Sequence, residues 1–292
     1  MNKQKIGFLV DSGSDVPLET ITKANMKVIP LKIIYSDKEY TDKVDIHAQD
    51  VYDRLEQEIP KTSLPSGEVI SEMLQEFKDE GYEKVIAVTI SSGLSGTNNM
   101  VRLMAENVDG LDVFTLDTKN IGIGSGFLSI KAAEYVEKDL EWNTIKEKLQ
   151  ADVKKSKIFF HVPTLEYLQK GGRIGLVSSI LGNVLNLKPV ISCNDNGIYH
   201  TVAKVRGNKK SIQRAIDLAA EFAGNAKKYH LAIAFGGKTA EVQVEAIRVE
   251  LKKKLPNFVK IFEDQISPAL GVHTGPGLIG IGVQIIEDKK NK

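Results

Sequence analysis

The sequence predicts an α/β protein with two domains, and three observations predict this class. Short β-branched apolar runs alternate with helical segments through the first half of the 292 residues, which is typical of a three-layer α/β domain with a mainly parallel sheet. The turn Asn196-Gly197 separates two strand-like runs in the second half and indicates an antiparallel pair, typical of an α+β domain with a mixed sheet. The length suits one large domain or two modest ones, and we place the domains at residues 1–156 and 157–292.

The strands of the first half are nearly continuous in hydrophobicity, as parallel strands covered on both faces are expected to be. Pro30 splits the second of them. The predicted strands are residues 6–10, 26–35, 84–90 and 112–116. Helical spacing or composition predicts helices at residues 48–58, 67–80, 95–108 and 122–138.

The second half has a different rhythm, and a charged stretch at residues 141–157 leads into it. We predict that this stretch is a surface helix that connects the two domains. Strands are predicted at residues 157–162, 187–193, 198–205, 230–235, 258–262 and 278–286. Helices are predicted at residues 208–223 and 239–255.

Composition narrows the class of protein. The 39 Lys and Arg residues against 38 Asp and Glu residues leave a net charge of +1, which argues against a nucleic-acid partner. The single Cys193 excludes an intramolecular disulfide and a cysteine-rich metal site, and it suits a reducing compartment. No apolar run approaches the ~18–20 residues of a spanning helix, and the five histidines lack metal-ligand spacing. We therefore expect a cytoplasmic protein without a metal.

Polar clusters follow several predicted strands, where ligands of open α/β sheets gather. The loop at residues 91–97 is the most informative, because it combines two glycines with four hydroxyl side chains ahead of a helix. Glycines allow close backbone approach, and the N-terminus of a helix favours an anion. The alternative is that Ser92 or Ser95 only caps the helix. The other clusters are residues 11–15, 62–66, 117–118 and 271–277.

The familiar catalytic motifs do not fit this sequence. Ser95 stands in Gly93-Leu94-Ser95-Gly96-Thr97, where a nucleophile elbow requires glycine at the last place. An enzyme that acts on a small anionic substrate, a hydrolase or a phosphotransferase with Ser95 as nucleophile, needs a base beside that serine. His273 would serve only if the fold brought it within hydrogen-bond reach. His273 lies in a glycine-rich turn and is either a hydrogen-bond donor to an anion or a partly exposed loop histidine.

Six segments, taken together and in this order, resemble the DegV family. One segment alone is a weak signal, but the six extend from residue 11 to residue 277, nearly the whole chain. One departure is Leu64, at a variable position where the family often has glutamine. The segments are Asp11-Ser12-Gly13-Ser14-Asp15, Thr62-Ser63-Leu64-Pro65-Ser66, residues 90–97, Gly172-Arg173-Ile174, Leu187-Lys188-Pro189-Val190-Ile191 and His273-Thr274-Gly275-Pro276-Gly277.

The resemblance implies a two-domain protein that holds one long-chain fatty acid between its domains and has no catalysis or cofactor of its own. Members that act as the FakB subunit of bacterial fatty acid kinase present the acyl carboxylate to a separate ATP-dependent subunit, FakA. That subunit makes the acyl-phosphate for phospholipid synthesis. Carried over, Thr62 and Ser95 would hydrogen-bond the carboxylate, His273 would complete its polar cage, and Ser92 and Arg173 would be further members of the network.

Three further sequence features fit this resemblance. The apolar stretch at residues 174–187 is either a helix, a mobile lid or ordinary core. A basic cluster after a predicted strand is either a solvated face or a docking surface for a kinase subunit or, transiently, an anionic membrane; it comprises Lys204, Arg206, Lys209 and Lys210. The third feature is a set of apolar residues that could line the fatty-acid tunnel, although each of them could instead belong to the ordinary hydrophobic core. The candidate wall residues are Ile123, Phe127, Phe159, Leu165, Leu168, Ile174, Ile180, Leu181, Val184 and Leu185.

Overall fold

Thirteen strands and eleven helices are assigned in the computed structural model, which describes residues 2–180 and 187–287. The strands are β1 (Ile6–Asp11), β2 (Lys27–Ile29), β3 (Lys32–Ile34), β4 (Glu39–Thr41), β5 (Lys61–Ser63), β6 (Lys84–Thr89), β7 (Asp112–Asp117), β8 (Ser156–His161), β9 (Leu187–Cys193), β10 (Tyr199–Arg206), β11 (Lys228–Phe235), β12 (Phe258–Gln265) and β13 (Ile279–Glu287). The helices are α1 (Leu18–Ala24), α2 (Ala48–Arg54), α3 (Gly67–Asp79), α4 (Thr97–Ala105), α5 (Ile123–Glu137), α6 (Trp142–Asp152), α7 (Glu166–Lys170), α8 (Asn208–Ala223), α9 (Lys238–Glu241), α10 (Val244–Lys254) and α11 (Pro268–Thr274).

The strands of the described residues form three sheets. One has the order β2-β1-β6-β7 and is parallel throughout. The second has the order β10-β9-β8-β13-β11-β12, in which β11 and β12 are parallel and the other pairs antiparallel. The third is a small antiparallel sheet of order β4-β3-β5. The predicted fold class, an α/β protein with a parallel sheet and a mixed sheet, is confirmed.

Helix α5 lies between the two large sheets and contacts strands of both, β1 and β6 on one side and β8 and β13 on the other. It is apolar around its circumference, as expected for a helix covered on all sides, and Phe127 and Leu128 are fully buried. Gly282 on β13 permits this packing, since a Cβ there would lie 3.0 Å from Phe127 Cε2. The central core therefore contains residues from both halves of the chain.

The outer helices complete a layered structure. Helices α3 and α4 pack on the outer face of the parallel sheet, with Leu74 and Phe77 buried there. Helices α8 and α10 cover the outer face of the mixed sheet. Ser66 begins α3 by accepting a hydrogen bond from Val69 N at 3.3 Å, an N-cap that satisfies one free amide of the first turn.

The single strand predicted at residues 26–35 was wrong. Strand β2 pairs with β1 in the parallel sheet, whereas β3 belongs to the small sheet. Pro30 lies between them, and a proline has no amide hydrogen to continue a ladder. Strands β4 and β5 were not predicted, because three residues are too few to show an alternating pattern.

Several helix boundaries also differ from the prediction. Helix α2 ends at Arg54 rather than at residue 58, and the helix predicted at residues 95–108 is α4, which begins at Thr97. The helix predicted at residues 239–255 is two helices, α9 and α10. Helices α1 and α7 were not predicted. The charged stretch predicted at residues 141–157 holds α6, and β8 begins at Ser156. The domain boundary at residue 156 stays a prediction.

The glycine-rich turn predicted around His273 is instead the last part of a helix, α11. Pro268 occupies its first turn, and Ser267 accepts a hydrogen bond from Leu270 N at 3.3 Å. Proline is favoured at this position, because its fixed φ suits a helix and its missing amide hydrogen costs nothing there. His273 is therefore held on a helix and not on a loop.

Candidate functional site

Four of the five predicted site residues, Thr62, Ser95, Arg173 and His273, line one cavity of 160 Å³, here called the head cavity. They come from β5, the β6–α4 loop, the segment after α7, and α11. Arg173 is the charged side chain among the lining residues described. The remaining wall comprises Leu31, Ser63, Leu64, Ile90, Leu94, Gly96, Ile121, Tyr199, Ala269 and Leu270.

The closest polar contact of the head cavity joins Thr62 and His273. Thr62 Oγ1 lies 2.7 Å from His273 Nε2, while Nδ1 of the same ring is buried without a hydrogen-bond partner among the described residues. Burial, with the nearby charge of Arg173, lowers the pKa of His273 to about 3. The ring is therefore neutral at pH 7, and a neutral imidazole donates from one nitrogen and accepts at the other.

Gly171 allows the imidazole of His273 to take this position. A Cβ at residue 171 would lie 2.1 Å from His273 Nδ1. The φ of Gly171 is −79°, a value open to any residue, so space rather than backbone conformation requires glycine there. Sequence reasoning marked Gly172-Arg173 but missed Gly171, because the need for it comes from a helix distant in the chain.

Two buried carboxylates hold the first turn of α11, the helix that carries His273. Ser267 N donates to Asp15 Oδ1 at 3.0 Å, and Ala269 N donates to Asp42 Oδ1 at 2.9 Å. Burial raises the pKa of Asp15 to about 6, although its ion pair with Lys43 opposes the shift. The polar cluster at residues 11–15 therefore helps to position α11 and does not line the head cavity.

Asp11, at the end of β1, ties the two central strands of the parallel sheet together. Its Oδ2 accepts a hydrogen bond from Ile90 N at 2.9 Å, and its Oδ1 accepts one from Ser14 Oγ at 2.6 Å. Burial raises the pKa of Asp11 to about 7, and the hydrogen bonds oppose that shift. This carboxyl group stabilises the strand ends from which the head cavity is built.

Ser95 is half-buried and serves the backbone as well as the cavity. Its Oγ accepts a hydrogen bond from Thr97 N at 3.3 Å and lies 2.9 Å from Thr97 Oγ1. A serine hydroxyl that accepts one bond still carries a proton to donate. The capping alternative and the binding alternative are thus compatible at Ser95.

Arg173 joins the segment after α7 to the loop that carries Ser95. Its Nη1 donates to Gly171 O at 2.9 Å and its Nε to Leu94 O at 3.5 Å. Both bonds are to carbonyl groups, so the guanidinium charge is not neutralised by either. The charge makes the head cavity attractive to an anion.

Ser92, the fifth predicted residue, lies outside the lining of the head cavity. Its Oγ accepts a hydrogen bond from Lys119 Nζ at 3.1 Å, and its N donates to Asp117 Oδ1 at 3.1 Å. Lys119 also forms an ion pair with Asp117 at 2.6 Å. The structure therefore brings Ser92 together with the end of β7 rather than with Thr62 and His273.

The turn between β9 and β10 packs against the loop that carries these serines. A Cβ at Gly197 would lie 1.8 Å from Ser91 Oγ, and one at Gly93 would lie 2.9 Å from Asn196 O. Gly197 also has a φ of 74°, which glycine adopts without strain. This docking positions Tyr199, a wall residue of the head cavity that the sequence did not single out.

A small apolar cavity of 30 Å³ adjoins the head cavity between the two large sheets. The two cavities share Ile121, Tyr199 and Leu270. One end of the combined space is polar and the other is apolar. The rest of the apolar lining comprises Gly122, Ile123, Ile158, Phe160, Ala234, Ile266, Thr274, Leu278 and Gly280.

The predicted tunnel wall is only partly reproduced. Ile123 lines the apolar cavity, whereas Phe159 faces the opposite side of the mixed sheet and packs on Phe222 of α8 at 6.3 Å between ring centroids. Phe160, its neighbour on the strand, points inward because successive side chains alternate. Phe127 and Leu168 are fully buried, and Leu165 and Ile174 pack against the central core.

The apolar stretch at residues 174–187, for which a helix, a mobile lid and ordinary core were the alternatives, is described only in part. Residues Gly175–Ile180 form a 3₁₀ turn, and residues 181–186, with the side chain of Ile180, lie outside the described part of the chain. The candidate wall residues there were Ile180, Leu181, Val184 and Leu185.

The predicted basic cluster is exposed. Its members lie at the end of β10 and the start of α8, and all four side chains reach the surface: Lys204, Arg206, Lys209 and Lys210.

Residues 2–180 and 187–287 hold no group of three or more His, Cys, Asp and Glu side chains placed to bind a metal ion. Within those ranges no helix combines the length and the hydrophobicity that crossing a bilayer requires.

A parallel sheet and a mixed sheet share one buried helix, and residues from both halves of the chain line a polar cavity, which defines the class as a two-sheet α/β fold. The chain belongs to the DegV family, whose model, described as uncharacterised protein of the DegV family, matches residues 5–285. A DegV domain-containing protein of Clostridium acetobutylicum is 38% identical over 278 residues, covering 95% of this chain and 98% of the relative.

Two further relatives have names that state a ligand. A protein of Thermotoga maritima named fatty acid-binding protein is 30% identical over 298 residues, covering 98% of this chain and 100% of the relative. The solved structure of a DegV family protein from Thermus thermophilus, described as fatty acid binding, superposes with a TM-score of 0.90 at 27% identity. That comparison covers 98% of this chain and 100% of the other.

Proposed function

We propose that this protein binds one long-chain fatty acid, with the carboxylate in the head cavity and the hydrocarbon tail between the two large sheets. The observation that carries the proposal is the continuity of the head cavity, lined by Thr62, Ser95 and His273, with an apolar cavity behind it. The fatty-acid-binding relatives support the same ligand class.

The donors of the head cavity suit a carboxylate. A buried carboxylate without partners is unstable, and two or three hydrogen bonds are needed to offset its lost hydration. Thr62 and Ser95 offer hydroxyl donors, and the neutral His273 fixes the direction of the Thr62 hydroxyl through their contact at 2.7 Å. Arg173 supplies the compensating positive charge from the cavity wall.

The apolar side of the site supplies the larger part of the binding free energy. Each buried CH₂ contributes ~0.8 kcal/mol, so a sixteen-carbon tail contributes about 12 kcal/mol before the costs of ordering are subtracted. The 30 Å³ of the apolar cavity is far less than such a tail occupies, so its wall must move to admit the ligand. Leu270 lines both cavities and belongs to the short helix α11, whose main contacts are with α2, α7 and the small sheet, so a movement of Leu270 would leave the two large sheets in place.

We further propose that the bound fatty acid is presented to a separate ATP-dependent kinase subunit. Exposed Gly96 and Gly172 and half-exposed Thr62 and Ser95 place the head cavity near the surface, where a carboxylate oxygen is within reach of a phosphoryl donor. The exposed basic cluster at the end of β10 is the proposed docking surface for that subunit. Replacing Lys209 and Lys210 by glutamine is expected to weaken association and to reduce its salt dependence.

The alternative of an enzyme with Ser95 as nucleophile finds less support in the geometry. His273 Nε2 pairs with Thr62, and Ser95 Oγ pairs with Thr97. No imidazole or carboxylate of the described residues hydrogen-bonds to Ser95, although a nucleophilic serine needs such a base.

Native mass spectrometry after gentle purification tests the fatty-acid proposal. We expect a co-purified species of fatty-acid mass, which should disappear after extraction with organic solvent and return on addition of hexadecanoic acid. A protein that carries no such species and takes up no added hexadecanoic acid would contradict the proposal. Turnover of a carboxylic ester or a phosphate ester by the same sample would favour the enzyme.

A further inference from the structure

A cavity of 870 Å³, here called the far chamber, lies at the opposite end of α5 from the head cavity. Its walls come from α1, the C-terminal half of α5, and strands β1, β11 and β12. Ten of the sixteen lining residues have polar or charged side chains, and six are apolar. The chamber opens to solvent at exposed side chains that include Glu19, Lys23, Glu137 and Lys260. The lining comprises Asn2, Phe8, Glu19, Thr20, Lys23, Ala24, Asn25, Tyr82, Ile130, Ala133, Glu134, Val136, Glu137, His230, Lys260 and Phe262.

A third cavity of 230 Å³ adjoins both the far chamber and the apolar cavity of the proposed fatty-acid site. This intermediate cavity shares Ile123 and Ala234 with the apolar cavity behind the head cavity. It shares Glu19, Lys260 and Phe262 with the far chamber. A chain of adjoining spaces therefore runs from Thr62 and His273 to the far chamber.

Two facing elements give the length and the polarity of this path. On α5 the lining changes from Ile123 to Glu134, eleven residues and about 16 Å further along the helix. On β11 the inward-facing residues change from Ala234 to His230, four residues and about 13 Å further along the strand. The path begins at apolar side chains and ends at the polar pair His230 and Glu134. Between these ends the intermediate cavity is apolar along α5 and β11, and its other walls carry charged side chains: Asp15, Glu19, Lys260, Glu263 and Asp264.

The polar pair is incompletely satisfied, with His230 buried and Glu134 partly exposed. His230 is 6% exposed, and neither ring nitrogen has a hydrogen-bond partner among the described residues. Its Nε2 lies 3.5 Å from Glu134 Oε1, while Glu134 Oε2 is paired with Lys131 at 2.7 Å. The ring stands edge-on to Phe262, with 5.5 Å between centroids. Buried polar groups of this kind are normally hydrogen-bonded, so a ligand group at this point would be stabilised.

The charges around the far chamber indicate which group that would be. Lys23 is paired with Glu137 at 3.0 Å, and Lys260 is paired with Glu19. The remaining carboxylate, Glu134, already has Lys131 as its partner. With its charges paired in this way, the chamber favours a neutral hydrogen-bonding group over a second carboxylate.

We propose that the far chamber receives the ω end of an acyl chain that carries a terminal hydroxyl, with His230 and Glu134 as the hydrogen-bond partners of that hydroxyl. The inference rests on the proposed fatty-acid site and extends it to a second polar contact at the other end of the ligand. It makes this protein able to hold ω-hydroxy fatty acids as well as unsubstituted ones. An ordinary apolar tunnel end would reject them, because burying a hydroxyl without a partner is unfavourable.

The test compares hexadecanoic acid with ω-hydroxyhexadecanoic acid on lipid-free protein by isothermal titration calorimetry. We expect the dissociation constants of the two acids to agree within about threefold in the wild type. In His230→Phe, which keeps the ring and removes both nitrogens, the ratio of the two constants is expected to rise at least tenfold, which corresponds to about 1.4 kcal/mol. The matched control is His161→Phe, at another buried histidine of the mixed sheet that lies outside the far chamber.

The outcomes separate the two proposals. If the wild type binds hexadecanoic acid but binds the ω-hydroxy acid more than tenfold more weakly, the far chamber does not receive the hydroxyl, and this holds even if His230→Phe fails to fold. An equal ratio in His230→Phe and in the wild type would also overturn the inference. If hexadecanoic acid itself does not bind, the proposed fatty-acid site fails and the inference fails with it.

Discussion

Replacing Gly171 by alanine should displace His273 and weaken fatty-acid binding. The new Cβ would lie 2.1 Å from His273 Nδ1, so the ring must retreat by roughly 1.3 Å to reach an ordinary contact of 3.4 Å. The contact of 2.7 Å between Thr62 and His273 cannot survive a movement of that size. The backbone conformation itself is open to alanine, because φ of residue 171 is −79°, but the new Cβ would also lie 2.9 Å from the carbonyl oxygen of Tyr167.

The magnitude follows from the lost hydrogen bond. The lost hydrogen bond joins two neutral groups, and such a bond contributes about 0.5–1.5 kcal/mol, so the dissociation constant for hexadecanoic acid should rise roughly twofold to tenfold. Overpacking should also lower the free energy of unfolding by about 1–3 kcal/mol. Calorimetric titration with hexadecanoic acid measures the first effect and urea unfolding the second.

The matched control is Gly96→Ala, on the other side of the head cavity. A Cβ there would lie 3.5 Å from Leu64 Cδ2, an ordinary contact, so we expect affinity within about twofold of the wild type. Unchanged affinity in Gly171→Ala would refute the role of His273 in holding the head group. An equal loss in Gly96→Ala would show that any added methyl group near the cavity is harmful and would refute the steric argument.

Three other predictions concern the head group, the thiol and a buried carboxyl group. The double variant Thr62→Ala with Ser95→Ala should bind hexadecanoic acid at least tenfold more weakly than the wild type, as measured by calorimetry. The control Ser92→Ala, at a residue outside the head cavity, should bind it as the wild type does. Equal affinities in the wild type, the double variant and the control would mean that the carboxylate binds elsewhere. Cys193 is buried and burial raises its pKa to about 12, so the native thiol should resist Ellman's reagent at pH 8 and react after unfolding; rapid labelling of the native protein would contradict this. Burial raises the pKa of Asp11 to about 7, above its value in the unfolded chain, so the folded state binds the proton more tightly. The contribution of Asp11 to the free energy of unfolding should therefore fall as pH rises from about 4 to 7. Urea unfolding at several pH values should show that decline in the wild type more steeply than in Asp11→Asn, and parallel curves would rule the contribution out.

The sequence predicted the large elements of the fold because their signals are local. The strand at residues 84–90 is a β-branched run, and the Asn196-Gly197 turn has the backbone chemistry of a tight hairpin. The small sheet was missed, since each of its three strands has only three residues. Helix α11 was missed because Gly271 inside it, with Gly275 and Gly277 just after it, suggested a turn. Its first turn is held by Asp15 and Asp42, which are distant in sequence.

The candidate site was predictable in membership but not in geometry. Resemblance to the DegV family named Thr62, Ser95, Arg173 and His273, and the structure brings these four to one cavity. The resemblance could not show that Ser92 accepts a hydrogen bond from Lys119 and does not line the cavity, because the hydroxyl of Ser92 would be satisfied in either position. The pairing of Thr62 with His273 joins residues 211 positions apart, a distance over which spacing carries no information.

The burial of α5 between the sheets limits how a ligand can reach the interior. Helix α5 packs against both large sheets, so a hinge movement that separated the two sheets would break the contacts of α5 with one of them. We therefore expect ligand uptake to need only a local movement of α11 or of the turn between β9 and β10, while the two large sheets and α5 keep their positions. A spin-label distance between β7 and β10 should accordingly stay constant on loading, and one between α11 and β6 should change.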